Sequence, residues 1–273
     1  MLTLSTVRSI LKEYNIRPSK RLGQSFLIDQ NAKKKIIDSS DVCGEDTVLE
    51  IGPGLGALTE GLCRRAKRVI AIEKDKRLYE YLLHNNSFNN LELIRGDILK
   101  YKFGNEEGTR LKIVGNLPYY ISSPILIHLL ENRRFFTSLF VTVQKEFAER
   151  LTASPGNKTY GSISCFVQFY LEPSILFTVK KRAFHPVPQV DSSFLRLDVR
   201  RQGLYLTDEE KLFRIIKTCF GKRRKTMLNS LYSSKIFKSK EEVKKLLGDS
   251  GISETRRPET VSLKEFVDLV NAM

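Results

Sequence analysis

Residues Gly115 to Pro124 read GNLPYYISSP, with an amide, an X-Pro step and two tyrosines following directly on the apolar run LKIV. A buried strand has no folding reason to end in this way. Leu117 precedes Pro118, which pushes it into an extended conformation and lets its carbonyl face a site instead of starting a helix. Asn116 adds an amide oxygen close by, so two acceptors stand ready for the two hydrogens of an exocyclic amine. Tyr119 can lie against the face of the ring that carries that amine. An aryl amine is a poor nucleophile because its lone pair is spread into the ring. Acceptors set out of the ring plane favour a pyramidal nitrogen whose lone pair faces an electrophile. No strong base is needed if the proton leaves after transfer. The bland alternative is a Pro-terminated strand with two half-buried tyrosines.

A second group of residues lies upstream. VLEIGPGLGALTEGL sets Gly52, Gly54 and Gly56 between a predicted strand and a predicted helix. Glycines there let backbone approach a ligand closely and tolerate positive φ, and the helix start offers free N–H groups. In RVIAIEKD, Glu73 falls at the carboxyl end of the next strand, where a carboxylate can grip both ribose hydroxyls of an adenosine-containing cofactor. A further strand ends in GD, which makes Asp97 a candidate for the adenine amine. Gly52-x-Gly54-x-x-Ala57 also satisfies the dinucleotide fingerprint. On these residues S-adenosylmethionine and NAD both stay open, with S-adenosylmethionine favoured. The bland reading is a set of tight turns without a ligand.

The elements that must position these groups are legible around them. From Thr47 to about Phe147, short β-branched runs (TVLEI, RVIAIE, LELIRG, LKIVGN, LFVTVQKE) alternate with helical patterns such as LTEGLCRRA, KRLYEYLLHN and PILIHLLEN. That alternation predicts βαβ units and a parallel sheet covered by helices on both faces, an α/β fold. SILFTVK and SFLRLDV read as added edge strands, separated by the Pro-punctuated loop RAFHPVPQVDS. After about Arg201 the composition shifts to amphipathic helices, with Thr207 and Ser239 as N-cap candidates ahead of acidic first turns. The expected division is therefore a domain over 1–200, with an N-terminal segment over about 1–30, and a small all-helical domain over 201–273.

The 273 residues can bury a proper core. Forty-six Lys and Arg against 31 Asp and Glu leave a formal charge of +15, an excess that attracts polyanions such as nucleic acid or an anionic membrane. Basic residues cluster at Arg17, Lys20 and Arg21, at Arg64, Arg65, Lys67 and Arg68, at Lys180, Lys181 and Arg182, and at Lys222, Arg223, Arg224 and Lys225. A charge run is usually a solvated face; KKRAFHP differs because its cations lead directly into an aromatic residue. The four cysteines are scattered and there are only three His, which argues against a metal site and for a reducing compartment. No apolar run approaches the ~18 residues of a membrane span, so the cytoplasm is the expectation. No oligomerisation face is evident, and a monomer is expected.

NLPY resembles the amino-methyltransferase motif, and the chain is similar along nearly its whole length to the ribosomal RNA adenine N6,N6-dimethyltransferase family of the small-subunit type. RPSKRLGQSFLID resembles that family's cofactor-lid motif, and EIGPGLGALT, Glu73 and GD its S-adenosylmethionine site. AFHPVPQVDS resembles a later motif, and FGKRRKTMLNSL the signature where its helical domain begins. The resemblance implies a Rossmann-like class I methyltransferase sheet and transfer of methyl groups from S-adenosylmethionine to N6 of two adjacent adenosines near the 3′ end of small-subunit RNA, in an immature 30S-type particle. It places cofactor contacts on Ser25, Leu27, Gly52, Gly54, Glu73, Asp97 and Asn116, and the target base between Tyr119 and Phe184 above Asn116, Leu117 and Pro118. From the basic residues themselves, Lys180–Arg182, which lead into Phe184, and Lys222–Lys225 are expected to contact RNA, with domain packing through carboxylate pairs as the alternative for Arg223 and Arg224. The family usually has Asn or His where this chain has Ser25, whose shorter hydroxyl reaches the methionine end through water. Rivals are a large-subunit adenine methyltransferase of the antibiotic-resistance type, a largely non-catalytic ribosome-assembly or RNA-binding factor, and an NAD-linked dehydrogenase.

Overall fold

The structure, a computed structural model, describes residues 2–18, 24–104, 110–200 and 205–273. Lys20 and Arg21, and with them the middle of the lid-like motif, lie outside the described residues. The strands are β1 (Phe26–Leu27), β2 (Thr47–Ile51), β3 (Arg68–Glu73), β4 (Leu91–Arg95), β5 (Leu111–Asn116), β6 (Phe136–Gln144), β7 (Leu171–Val179), β8 (Phe184–His185) and β9 (Ser192–Val199). The helices are α1 (Leu4–Glu13), α2 (Gln30–Ser39), α3 (Thr59–Cys63), α4 (Lys76–Asn85), α5 (Ser122–Glu131), α6 (Lys145–Leu151), α7 (Ser162–Tyr170), α8 (Glu209–Phe220), α9 (Met227–Tyr232), α10 (Lys240–Asp249) and α11 (Leu263–Asn271).

Two compact units result. The first comprises Met1–Ala148 and Ser174–Val199, the second Glu149–Pro173 and Arg200–Met273. Strand order in the seven-stranded sheet is β4-β3-β2-β5-β6-β9-β7. The pairs from β4 to β6 are parallel, as the βαβ pattern requires, and β9 runs antiparallel to β6. All five residues of β2 are buried, the mark of a strand covered on both faces. On one face Ile36 and Ile37 of α2 and Leu62 of α3 join Val48, Val69, Val114 and Phe140 in a single core. Gly115 is required where β5 passes β2, because a Cβ there would lie 2.9 Å from the Ile51 carbonyl oxygen.

The expectation of two edge strands is half corrected. β7 is an edge, but β9 lies inside, between β6 and β7, and the burial of Ser192 to Leu195 fits an interior strand. A separate two-stranded ribbon, not foreseen from the sequence, pairs Phe26 with His185 and Leu27 with Phe184.

In the second unit, α7 packs with tail helices through Phe213 of α8, whose ring centroid lies 4.9 Å from Phe166 and 5.4 Å from Phe169. The composition shift after Arg201 coincides with the start of that unit's second segment, and residues 149–173 join it. Ser239 caps α10, as expected, by accepting from the Glu242 amide. Helix α8 is capped by Asp208 and not Thr207; the carboxylate accepts from the Lys211 amide at 2.8 Å, while Thr207 donates its amide to Asn271. No described helix is long and apolar enough to cross a membrane, and no metal-binding cluster occurs among the described residues.

Candidate active site

The carboxyl ends of β2, β3 and β5 and the turn after β4 open on one cleft of about 860 Å³, its open mouth included. Ser25, Gly52, Gly54, Glu73, Asp97, Asn116, Leu117, Pro118 and Tyr119 all line it. The sequence therefore named residues that the sheet brings together from segments far apart in the chain.

Each carboxylate is held by backbone. Glu73 is 6% exposed; its oxygens accept from the Gly54 amide at 3.0 Å and the Asp75 amide at 2.8 Å. Burial pushes its carboxyl above the usual range, against the pull of those amides. The turn that delivers the Gly54 amide depends on left-handed backbone, with φ of 67° at Gly52 and 61° at Gly54. Asp75 in turn caps α4, accepting from Arg77 and Leu78, so the strand end and the helix start are one rigid piece. Asp97 caps a short turn over Ile98–Lys100 and accepts from the Leu99 amide at 3.1 Å. Lys74 reaches its other oxygen at 2.7 Å. Partial burial pushes the Asp97 carboxyl up, but Lys74 and the Leu99 amide outweigh it and hold the group below the usual range.

Asn116 is oriented by the ribbon segment. Its Nδ2 donates to the Ser25 carbonyl at 3.2 Å, and its Oδ1 is buried with no hydrogen-bond partner among the described residues. The next residue, Leu117, is pinned by donation of its amide to the Thr142 carbonyl at 3.0 Å. The Tyr119 hydroxyl is bonded to Ser192 Oγ at 2.6 Å, which ties NLPY to the end of AFHPVPQVDS. Burial pushes the Tyr119 phenol up, so the ring is neutral.

Leu27 and Phe184 line an adjoining cavity that shares Ser25, Gly52, Gly54 and Asn116 with the cleft. Phe184 is only 1% exposed. Ser25 touches Asn116 through its backbone; its hydroxyl donates to the Pro186 carbonyl. Glu50 and Thr142 also line this second cavity, and each has a buried side-chain oxygen without a hydrogen-bond partner among the described residues. Sequence reading missed both, together with Lys74 and Phe26. Lys74 adjoins Glu73 and could have been found from that neighbourhood. Thr142 could not, since only the β5–β6 register sets it opposite Asn116.

A family model, ribosomal RNA adenine dimethylase, matches residues 15–273. The chain belongs to the ribosomal RNA adenine dimethylase family. Relatives of this family include the ribosomal RNA small subunit methyltransferase A of Alkaliphilus metalliredigens, 41% identical over 97% of this chain and 95% of the relative. The protein of the same name from a Geobacillus species is 41% identical over 99% of this chain and 97% of its own. Among solved structures, a dimethyladenosine transferase from Plasmodium falciparum superposes with a TM-score of 0.76 at 29% identity, over 89% of this chain and 95% of that one. The 23S rRNA methyltransferase ErmE gives a TM-score of 0.70 at 26% identity, over 90% and 98%.

The basic groups of this dimethylase-family chain differ in what they do at home. Arg64, Arg65 and Arg68 pair with Glu60, Asp38 and Glu92, a solvated, self-neutralised face. Lys180 is exposed, though its ammonium meets Asp191 at 3.1 Å, and the Lys181 amide donates to the same carboxylate. The Lys181 amide first, and then the Lys180 ammonium, hold Asp191 below the usual carboxylate range. Arg182 is exposed beside them. In the second unit Arg223, Arg224 and Lys225 are exposed and Lys222 partly so; Arg223 donates to the Lys158 carbonyl within that unit.

Proposed function

We propose that the chain transfers methyl groups from S-adenosylmethionine to N6 of two adjacent adenosines near the 3′ end of small-subunit ribosomal RNA, acting in the cytoplasm, as a monomer, on an immature small subunit. The observation that carries this reading is the buried Asn116 Oδ1 at the end of β5, without a hydrogen-bond partner among the described residues, in a chain of the ribosomal RNA adenine dimethylase family. A buried acceptor without a partner is costly unless a ligand donor completes it.

The residues present fit the cofactor. Glu73 would take the ribose hydroxyls and Asp97 the adenine amine, and the left-handed turn at Gly52 and Gly54 leaves room for close approach. When bound, S-adenosylmethionine supplies an electrophilic methyl carbon on a sulfonium. The chain's own residues do the remaining work. An adenosine is splayed from its RNA, and Tyr119 covers one face of the base. Phe184, from the adjoining cavity, meets the other. Asn116 Oδ1 and the Leu117 carbonyl each accept one N6 hydrogen and turn the nitrogen lone pair on the methyl carbon. With the methyl group acquired, the N6 nitrogen would release its extra proton to solvent. In a second round the monomethylated nitrogen has one hydrogen left for one of these two acceptors, and its methylation gives N6,N6-dimethyladenosine. Rate enhancement comes from positioning. Lys180–Arg182 and Lys222–Lys225 take RNA phosphates, which position without reading sequence.

Mass spectrometry of nucleosides from small-subunit RNA treated with the protein tests this. Dimethyladenosine is expected with the wild type and at least ~100-fold less with Asn116→Ala, as for loss of one transition-state acceptor, while cofactor affinity stays within about threefold, ~0.7 kcal/mol. Unchanged turnover in the variant, or methylation of large-subunit RNA in place of small-subunit RNA, refutes the proposal.

A further inference from the structure

Asp97, at the end of the cleft, has a charged side chain as one of its partners. Its Oδ1 accepts from the Leu99 amide at 3.1 Å and its Oδ2 holds the Lys74 ammonium at 2.7 Å. Lys74 comes from the residue directly after Glu73, at the start of the turn into α4, and its side chain is 55% exposed while that of Asp97 is 18% exposed. Both line the cleft, as does Tyr120, which lies close enough to act on the Lys74 charge. The backbone bond to Oδ1 is built into the Ile98–Lys100 turn. Oδ1 keeps one further acceptor site, but an exocyclic amine that reaches Asp97 through Oδ2 meets the Lys74 ammonium already on that oxygen.

We propose that Lys74 is a competitor built into the adenine end of the cleft. It holds an Asp97 oxygen that the adenine amine can use, which weakens cofactor and product binding alike and makes the site less selective for a ring bearing an amine. The inference rests on the assignment of Asp97 to adenine made above. Lys74 lines the cleft on a flexible stem, so it swings away without backbone movement, and the ion pair it gives up is exposed on the lysine side and partly buried at Asp97, which keeps its strength modest. Once displaced, the ammonium is free to donate to a ring carbonyl in the position of the amine. That is why it blunts the distinction between adenine and a 6-oxo purine. Lys100 also acts on Asp97 through its charge, and it stays in place when Lys74 is altered.

Calorimetric titration of S-adenosylhomocysteine and S-inosylhomocysteine into wild type, Lys74→Met and Asp97→Ala tests the proposal without turnover. Lys74→Met keeps the aliphatic stem of an exposed residue and removes its charge. It should bind S-adenosylhomocysteine about two- to fivefold tighter than wild type, the range expected for releasing an ion pair of modest strength, and S-inosylhomocysteine more weakly. Wild-type affinity for S-adenosylhomocysteine should rise as salt goes from about 0.05 to about 0.5 M, because screening loosens the ion pair, and Lys74→Met should not follow. Equal shifts of both ligands in the same direction, or weaker S-adenosylhomocysteine binding by Lys74→Met, overturn the proposal. Asp97→Ala separates the two layers. If it binds S-adenosylhomocysteine as tightly as wild type, Asp97 does not hold adenine, and the reading beneath the proposal fails. If it binds at least ~10-fold more weakly, as expected for loss of a charged acceptor, while Lys74→Met matches wild type, only the competitor role fails.

Discussion

Replacing Glu50 by Gln should remove a pH dependence of stability that the sheet itself creates. Glu50 lies in β2, is 2% exposed, and leaves Oε2 without a hydrogen-bond partner among the described residues. Burial pushes its pKa from the ordinary 4.5 to about 8; the Thr59 hydroxyl pulls it back in part, the Glu73 charge raises it and Lys33 lowers it. Between those two values the native state holds a proton that the unfolded chain has released, so stability falls as pH rises through this window. One pKa unit corresponds to roughly 1.4 kcal/mol, and from about pH 5 to about pH 8 the wild type should lose about 3 kcal/mol through this group alone. Glu50→Gln has nothing to titrate there. Urea unfolding of both proteins at several pH values gives the difference in stability between them, from which other titrating groups cancel. That difference should grow by about 3 kcal/mol in favour of Gln across the window. A difference that stays constant with pH would refute the reasoning, because the carboxyl would then be ionised in the folded protein.

Tyr119 should act through its ring and not its hydroxyl: Tyr119→Phe, which loses the bond to Ser192, should keep methyl transfer within about fivefold. Tyr119→Ala should reduce it by at least ~10-fold, since base–aromatic stacking carries ~1–3 kcal/mol; single-turnover kinetics read both. Gly115→Ala should destabilise by roughly 1–3 kcal/mol, because the new methyl would sit 2.9 Å from the Ile51 carbonyl oxygen and force β2 and β5 apart; chemical unfolding measures it. In the second unit, the Arg256 guanidinium holds the Glu265 carboxyl at about 2, against partial burial and with help from Ser262 at the N-terminus of α11. The stability this adds is present above the ordinary 4.5 and is lost as pH falls toward about 2. Arg256→Gln should return Glu265 toward its ordinary value, visible by NMR titration, at a cost near neutral pH of about 1 kcal/mol after allowance for solvent screening.

Much of this was legible before any coordinates. Short β-branched runs ending in GPGLG, EK, GD and NLPY mark strand ends, and parallel strands share a carboxyl edge, so residues at those ends must converge. Gly52, Gly54, Glu73, Asp97 and Asn116 were found this way. The cap of α8 was misread by one residue because Thr207 and Asp208 are both good caps, and they are distinguished only by tertiary and local bonds: the Thr207 amide donates to Asn271 Oδ1, while Asp208 accepts from the Lys211 amide. The interior position of β9 was misread because an antiparallel strand inserted out of chain order leaves no periodic trace.

What the chain settles by itself is local. Backbone preferences at Gly52 and Pro118, strand and helix periods, and the residue types at strand ends follow from short-range sterics and apolar spacing. Those signals reach a few residues along the chain and no further. The tertiary structure alone decides which distant groups meet: Leu27 beside Phe184, Tyr119 on Ser192, Asn116 on the Ser25 carbonyl, Lys74 on Asp97. Such pairings depend on how buried faces pack and on strand register, and a cleft's acceptors become free or taken only once that packing is complete.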